Sequence, residues 1–309
     1  MASTNITTEL LVACAAGAAA ATALGWWLQK EKEGAAACKP KPTIDTNGRL
    51  LEGRVMVVTG GASGIGREIA LQAASQGCKV LVMDVTTTPL EGGESTAEAW
   101  ATLKTSQTTG GGEVAFIRGD TTSFASCTAA VTQAVDTWGK LDVWVNNAAI
   151  GVGGTLLETT EEDWDKVMAV NAKGYFFGCK AAVTSMLTNN VDPDTGLRGR
   201  VINISSQHGM VACPGDLAYG VGKAAAVYMT RQLAVDYATH GIAVNAVAPG
   251  KIVTGCDSDT RPYSLARTPC PRLGRPADVA SAVLFFASDM SSCFVTGVNL
   301  MVDGGWTAY

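Results

Sequence analysis

Val55–Gly66 reads VMVVTGGASGIG: five residues without a charge, then a turn built on four glycines. A short unbroken apolar run bounded by glycine is the pattern of a strand buried on both faces of a parallel sheet. Helical spacing follows near residues 64–76, so the glycines stand between a strand and a helix. There they let the backbone turn tightly and come close to a pyrophosphate, whose charge meets the amide N–H groups at the positive end of the helix. A glycine cluster alone is a weak signal. Its place between strand and helix is what gives it weight.

Working outward, KVLVMD (79–84), EVAFIRGD (113–120) and LDVWVNN (141–147) repeat the strand pattern, with helices near 64–76, 94–107 and 122–138 between them. Further strands are predicted at Val201–Ile204, Ile242–Ala248 and Val298–Val302. Strands alternating with helices predict an α/β fold, a doubly wound parallel sheet. Asp84 ends the second strand, eighteen residues past Gly66. A carboxylate there accepts hydrogen bonds from ribose hydroxyls and repels a 2′-phosphate, which favours NAD(H) over NADP(H). The plainer alternative is a loop-start Asp that caps the next helix. Arg67, the only nearby cation, speaks against the NAD(H) preference. The Thr/Gly-rich stretch between Asp84 and Glu113 reads as a surface connection.

The second informative stretch is Val201–Lys223, VINISSQHGMVACPGDLAYGVGK. It runs from an apolar strand through a Gly/Pro-punctuated loop into a helix carrying Tyr219 and Lys223. Four residues apart, a phenol and an ammonium share one helix face. A phenol titrates near ~10, so a Tyr base at neutral pH needs about 4 kcal/mol of preference for phenolate, much of which one poorly solvated cation can supply. A bare Tyr-x-x-x-Lys is more often an ordinary surface pair; Ser206, thirteen residues upstream at a strand end, and the distant glycine loop change that. Ser206 has no His base placed for it and no Gly-x-Ser-x-Gly elbow, so it reads as a hydrogen-bonding group, not a nucleophile.

Taken together, Thr59-Gly60-x-x-x-Gly64-x-Gly66, Ser206 and Tyr219-x-x-x-Lys223 resemble the short-chain dehydrogenase/reductase family over roughly Leu50–Trp306. The resemblance implies a Rossmann fold in a single catalytic domain, residues 50–309, that binds a nicotinamide dinucleotide. It assigns Gly60, Ser63, Gly64, Ile65, Gly66, Asp84, Asp120, Asn147, Tyr219, Lys223, Ile252 and Thr254 to the cofactor, with Asp120 alternatively only a helix cap. It makes Tyr219, Lys223, Ser206 and Asn171 the catalytic set, Asn171 and a water linking Lys223 to solvent. There are two departures: Ala149 replaces the final Gly of Asn-Asn-Ala-Gly, and Gly222 stands where relatives commonly carry Ser, a change expected to leave the chemistry intact. Residues 255–274 suit a lid over the substrate. The activity implied is NAD(H)-dependent interconversion of a secondary alcohol and a ketone, with a homodimer or homotetramer packed through helices 161–190 and 216–240. An NADPH-dependent ketoacyl- or polyketide-type reductase and a dinucleotide-sensing regulatory protein are the alternatives.

The 309 residues are 47% hydrophobic and 17% charged, ample for a core, and a net charge of -5 argues against a nucleic-acid surface. Nine scattered cysteines without a Cys-x-x-Cys fit free thiols in a reducing compartment. With only His208 and His240, no metal site is expected. Leu10–Leu28 is an uncharged run, about 28 Å as a helix, followed by Lys30, Lys32, Lys39 and Lys41 with no basic residue before it. Residues 1–30 are therefore expected to form a hydrophobic N-terminal helix, a membrane anchor holding the catalytic domain in the cytosol. A processed organelle-targeting peptide and a soluble cytoplasmic extension are the rivals. Residues 31–49 read as a linker.

Overall fold

The structure, a computed structural model, describes residues 49–106, 111–255 and 261–308. Among these, seven strands form a fully parallel sheet: β1 (Val55–Thr59), β2 (Lys79–Asp84), β3 (Glu113–Arg118), β4 (Val143–Asn146), β5 (Gly199–Ile204), β6 (Ile242–Pro249) and β7 (Asn299–Val302). Their order is β3-β2-β1-β4-β5-β6-β7. The helices are α1 (Gly64–Ser75), α2 (Thr96–Ser106), α3 (Phe124–Trp138), α4 (Glu161–Met168), α5 (Tyr175–Met186), α6 (Leu217–Tyr237), α7 (Arg261–Arg267) and α8 (Pro276–Ala287).

The central strands β1, β4, β5 and β6 are buried at every position, because both faces are covered. Met56 and Val58 of β1 face one core with Ile69, Ala70 and Ala73 of α1 and Val283 of α8. Val55 and Val57 face the other, with Ala130 and Ala134 of α3 and Ala182 of α5. Period-two alternation thus divides one apolar run between two cores. The winding direction reverses between β1 and β4, which pair with Val58 opposite Val145, and this opens a crevice at their carboxyl ends.

Two predicted strands are shorter than expected. β3 stops at Arg118, because the Gly119 amide turns to the Asp84 carbonyl (2.9 Å) and Asp120 Oδ1 accepts from the Thr122 amide (2.8 Å). β4 ends at Asn146, and the Asn147 side chain turns back onto β1. The expected helix over 161–190 is α4 and α5 joined by a π-helical turn, Ala169–Gly174. Thr160 caps α4 by accepting from the Asp163 amide at 3.1 Å. The anchor expected at residues 10–28 lies outside the described residues, among which no helix is long and apolar enough to cross a membrane.

Candidate active site

The crevice at the switch point measures about 570 Å³, within the range of roughly 300–1,000 Å³ that takes a cofactor or substrate. Gly60, Ser63, Gly64, Ile65, Asp84, Asp120, Asn147, Ser206, Tyr219, Lys223, Ile252 and Thr254 all line it. Of the residues expected to touch a cofactor, Gly66 alone is set back from the wall. Its place is structural: a Cβ there would overlap the Gly60 carbonyl oxygen and the Asn147 amide, so only glycine lets α1 start this close to β1.

Asn147 and Thr59 tie the loop ends together. Asn147 Nδ2 donates to the carbonyls of Thr59 (3.0 Å) and Gly60 (2.9 Å), and Thr59 Oγ1 accepts from the amides of Asn147 and Ala148 (3.0 and 3.1 Å). Asp84 is tied in too, its Oδ2 accepting from the Ala62 amide at 3.0 Å and its Oδ1 from the Thr86 amide at 3.3 Å. Asp120 does not cap α3. Ser123 does, accepting from the Ser126 amide at 3.3 Å, and Asp120 is left on the crevice wall.

The surface connection after β2 reaches the glycine loop. Glu91 Oε1 accepts from the Gly64 amide at 3.1 Å, Ser63 Oγ from the Leu90 amide at 2.7 Å, and Arg67 donates to the Glu94 carbonyl at 2.5 Å. The Arg67 guanidinium is thereby drawn toward the connection. A carboxylate on the first amides of α1 is itself a sign that this end of the helix binds anions. The donor set fits a dinucleotide pyrophosphate.

Across the crevice, the Ser206 hydroxyl accepts from the His208 amide at 3.1 Å and lines the same wall as Tyr219. Burial holds the Tyr219 phenol above its usual range; the polar Ser206 side chain opposes this and the Asp216 charge adds to it. Lys223 is 2% exposed, its Nζ donating to Ile204 O (2.7 Å) and Tyr175 Oη (3.0 Å) and standing 5.7 Å from the Tyr219 ring centre. Burial pushes the amine down to about 7. The sequence expectation was that Lys223 lowers Tyr219 directly. Here the ammonium turns instead to a carbonyl and a second phenol, because a buried cation takes the nearest acceptors.

Asn171, fully buried in the π-helical turn, clamps the loop after β4: Nδ2 donates to Ile150 O at 2.7 Å and Oδ1 accepts from Ile150 N at 2.9 Å. Gly222 packs against it, with no room for the side chain that relatives carry. On the crevice wall, Ile252 is bridged to Gly274 through Val253 N to Gly274 O (2.9 Å) and Gly274 N to Lys251 O (3.0 Å). Within the expected lid, residues 256–260 lie outside the described residues, and α7 follows with Tyr263 edge-on to Trp306 and Arg267 over the Trp306 ring. Sequence reasoning missed Tyr175 and Glu91. Tyr175 lies four residues past Asn171, a spacing that could have drawn attention to it; Glu91 carries no local signal.

A family profile described as enoyl-(acyl carrier protein) reductase matches residues 60–307. The 2-(S)-hydroxypropyl-CoM dehydrogenase 3 of Xanthobacter autotrophicus is 39% identical over 268 residues, covering 84% of this chain and 98% of that protein. The 3-oxoacyl-(acyl-carrier-protein) reductase FabG of Thermotoga maritima is 36% identical over 259 residues, 82% of this chain and 98% of its own. Among solved structures, a short-chain type dehydrogenase/reductase from Mycobacterium marinum superposes with a TM-score of 0.74 at 29% identity, covering 84% of this chain and 97% of that one.

Proposed function

Since the chain belongs to the short-chain dehydrogenase/reductase family and is an NAD(P)-dependent oxidoreductase acting on CH–OH donors, we propose that it interconverts a secondary alcohol and a ketone with NAD(H), Tyr219 exchanging the proton. The bound nicotinamide supplies or accepts the hydride. In the oxidative direction Tyr219 as phenolate takes the hydroxyl proton while Ser206 holds the substrate oxygen. Reduction runs the same path with Tyr219 as acid. Protonated Lys223, held by Ile204 O and Tyr175 Oη, favours the phenolate and would hold the nicotinamide ribose when the cofactor is bound. Asn171 and a water held by a carbonyl of the π-helical turn link Lys223 to solvent for proton exchange.

The observation carrying this reading is that Ser206, Tyr219 and Lys223 line one crevice together, with the Lys223 ammonium 5.7 Å from the Tyr219 ring centre. The test is turnover of full-length protein on a panel of secondary alcohols and ketones, followed by NADH absorbance. Tyr219→Phe should abolish it; a variant retaining most of the activity would sink the assignment.

Preference for NAD(H) rests on the Asp84 carboxylate on the adenosine side of the crevice. The alternative, an NADPH-dependent ketoacyl-type reductase, draws on the similarity to the Thermotoga enzyme, and the ratio of activities with the two cofactors separates them. The dinucleotide-sensing alternative is superseded by the enzyme assignment. Assembly as a homodimer or homotetramer is supported by exposed Val221, Tyr228 and Val235, seven residues apart along α6, and by exposed Phe176 on α5; light scattering tests it. Anchoring through residues 10–28 is carried forward on sequence alone, and carbonate-resistant pelleting that disappears on deleting residues 1–30 tests it.

A further inference from the structure

The loop between β5 and α6 holds a cluster of side chains that hydride transfer does not use. His208, Cys213 and Asp216 bring a ring nitrogen, a sulfur and a carboxylate oxygen within 4.8 Å of one another, each residue half-buried. His208 Nδ1 lies 3.1 Å from Asp216 Oδ2, and the His208 ring stands edge-on to Tyr219 with centres 6.4 Å apart. We propose that these three residues form a binding site for a single zinc-type divalent cation, beside Tyr219 on the substrate side of the crevice.

The donor set selects the ion. One nitrogen, one sulfur and one carboxylate oxygen, with water completing a tetrahedron, are ligands that zinc accepts, and the thiolate disfavours magnesium and calcium. All three side chains come from nine consecutive residues, so no long segment has to be ordered to bring them together. The scarcity of histidine argued against zinc at the level of sequence, but this set needs only one.

A second, independent feature points to the same ion. Gln207 is 3% exposed and its Oε1 has no hydrogen-bond partner, while its Nε2 lies 3.1 Å from His208 Nε2. Rotating that amide by half a turn exchanges its oxygen and nitrogen at almost no change in shape. Oε1 then accepts from His208 Nε2–H, the amide nitrogen takes the unpartnered place, and Nδ1 is left with its lone pair directed at Asp216 and Cys213. An outer hydrogen bond of this kind is what holds a metal-ligating histidine in its ligand tautomer. Without metal, Nδ1 carries the proton and donates it to Asp216. With metal, the imidazole stays neutral with its proton on Nε2, and the Cys213 thiol gives one proton to solvent.

The test uses chelator-treated full-length protein titrated with zinc against a chromophoric indicator, and with cobalt followed by absorption. One equivalent should bind with micromolar affinity, and the cobalt form should show a thiolate charge-transfer band. Cys213→Ser should abolish the band and weaken zinc at least tenfold. Asp216→Asn, which preserves shape, should weaken it similarly, and Gln207→Ala by roughly tenfold or more. Cys293→Ser, at an exposed cysteine elsewhere, should change nothing. Unchanged zinc affinity in both Cys213→Ser and Asp216→Asn, loss in Cys293→Ser, or no uptake by the parent protein would each overturn the proposal. None of these outcomes bears on the alcohol dehydrogenase reading.

Discussion

Lys223 donates to the hydroxyl of Tyr175 at 3.0 Å, joining the middle of α6 to the first residue of α5 beneath the crevice floor. Tyr175 Oη in turn donates to Ile204 O at 2.8 Å, the carbonyl that also accepts from Lys223. The proposed catalytic lysine is thus fixed by the end of β5 and by a phenol that itself stays neutral, burial holding Tyr175 well above its usual range.

The fixed, buried amine makes stability depend on pH. Burial moves Lys223 from its ordinary 10.5 to about 7, so between those values the unfolded chain holds a proton that the folded chain does not. Stability therefore rises with pH across that window, and the cost of burying the ammonium is fully present below pH 7. Lys223→Met removes the charge at similar volume. It should stabilise the protein at pH 6.5, by at most about 5 kcal/mol, and the gain should shrink toward pH 9.5. The lost hydrogen bonds weigh equally at both pH values, so the difference in urea midpoints isolates the charge. An equal shift at the two pH values would remove the argument.

Asp84 has two jobs, and one substitution separates them. Its carboxylate holds the Ala62 amide as well as facing the crevice, so Asp84→Ala would disturb the glycine loop along with the charge. Asp84→Asn keeps an acceptor for Ala62 and removes the charge that repels a 2′-phosphate. The ratio of kcat/KM for NAD over NADP should fall at least tenfold, about 1.4 kcal/mol, with little change in Tm. An unchanged ratio would show that the charge at position 84 does not decide the cofactor.

Glu91 should compete with the dinucleotide. Its carboxylate occupies the Gly64 amide at the N-terminus of α1, the group that a pyrophosphate needs. Each dinucleotide must displace it or bind next to its charge. A carboxylate at a helix N-terminus contributes about 0.3–1 kcal/mol, so Glu91→Gln should tighten NADH binding by roughly two- to fivefold in a calorimetric titration. Weaker binding in Glu91→Gln would mean that the loop after β2 assists the cofactor and does not oppose it.

What could be read from the chain follows from how local each signal is. All seven strands were legible as short, mostly apolar runs, the inner ones because they are buried on both faces. Ser206, Tyr219 and Lys223 share one strand-loop-helix unit, so their spacing survives into the fold. The ends of β3 and β4 were misread because Asp120 and Asn147 direct side-chain hydrogen bonds onto nearby backbone, which no hydropathy pattern records. Tyr175 and Glu91 were missed because their roles depend on partners 48 and 27 residues away. The approach of Cys213 and Asp216 to His208 depends on how the loop turns, for which the sequence offers only its glycines and proline.

Gly222, which stands where relatives commonly carry Ser, packs directly against Asn171. A Cβ built there would lie 2.8 Å from Asn171 Cβ, closer than side chains approach. Asn171 cannot retreat freely, because both ends of its amide hold Ile150, and Gly151, the next residue, faces the Tyr219 ring. Overpacking of this kind costs about 1–3 kcal/mol. Gly222→Ala should therefore lower Tm by several degrees and reduce kcat, since displacing Asn171 loosens the loop that borders Tyr219. Gly222→Ser should do the same to a similar extent, because the conflict arises at Cβ and not at the hydroxyl. Unfolding and turnover measured on both variants check this. If either matched the parent in both, α6 and the π-helical turn would have to separate easily, and the close approach of Gly222 to Asn171 would not be what holds the Ile150 clamp in place.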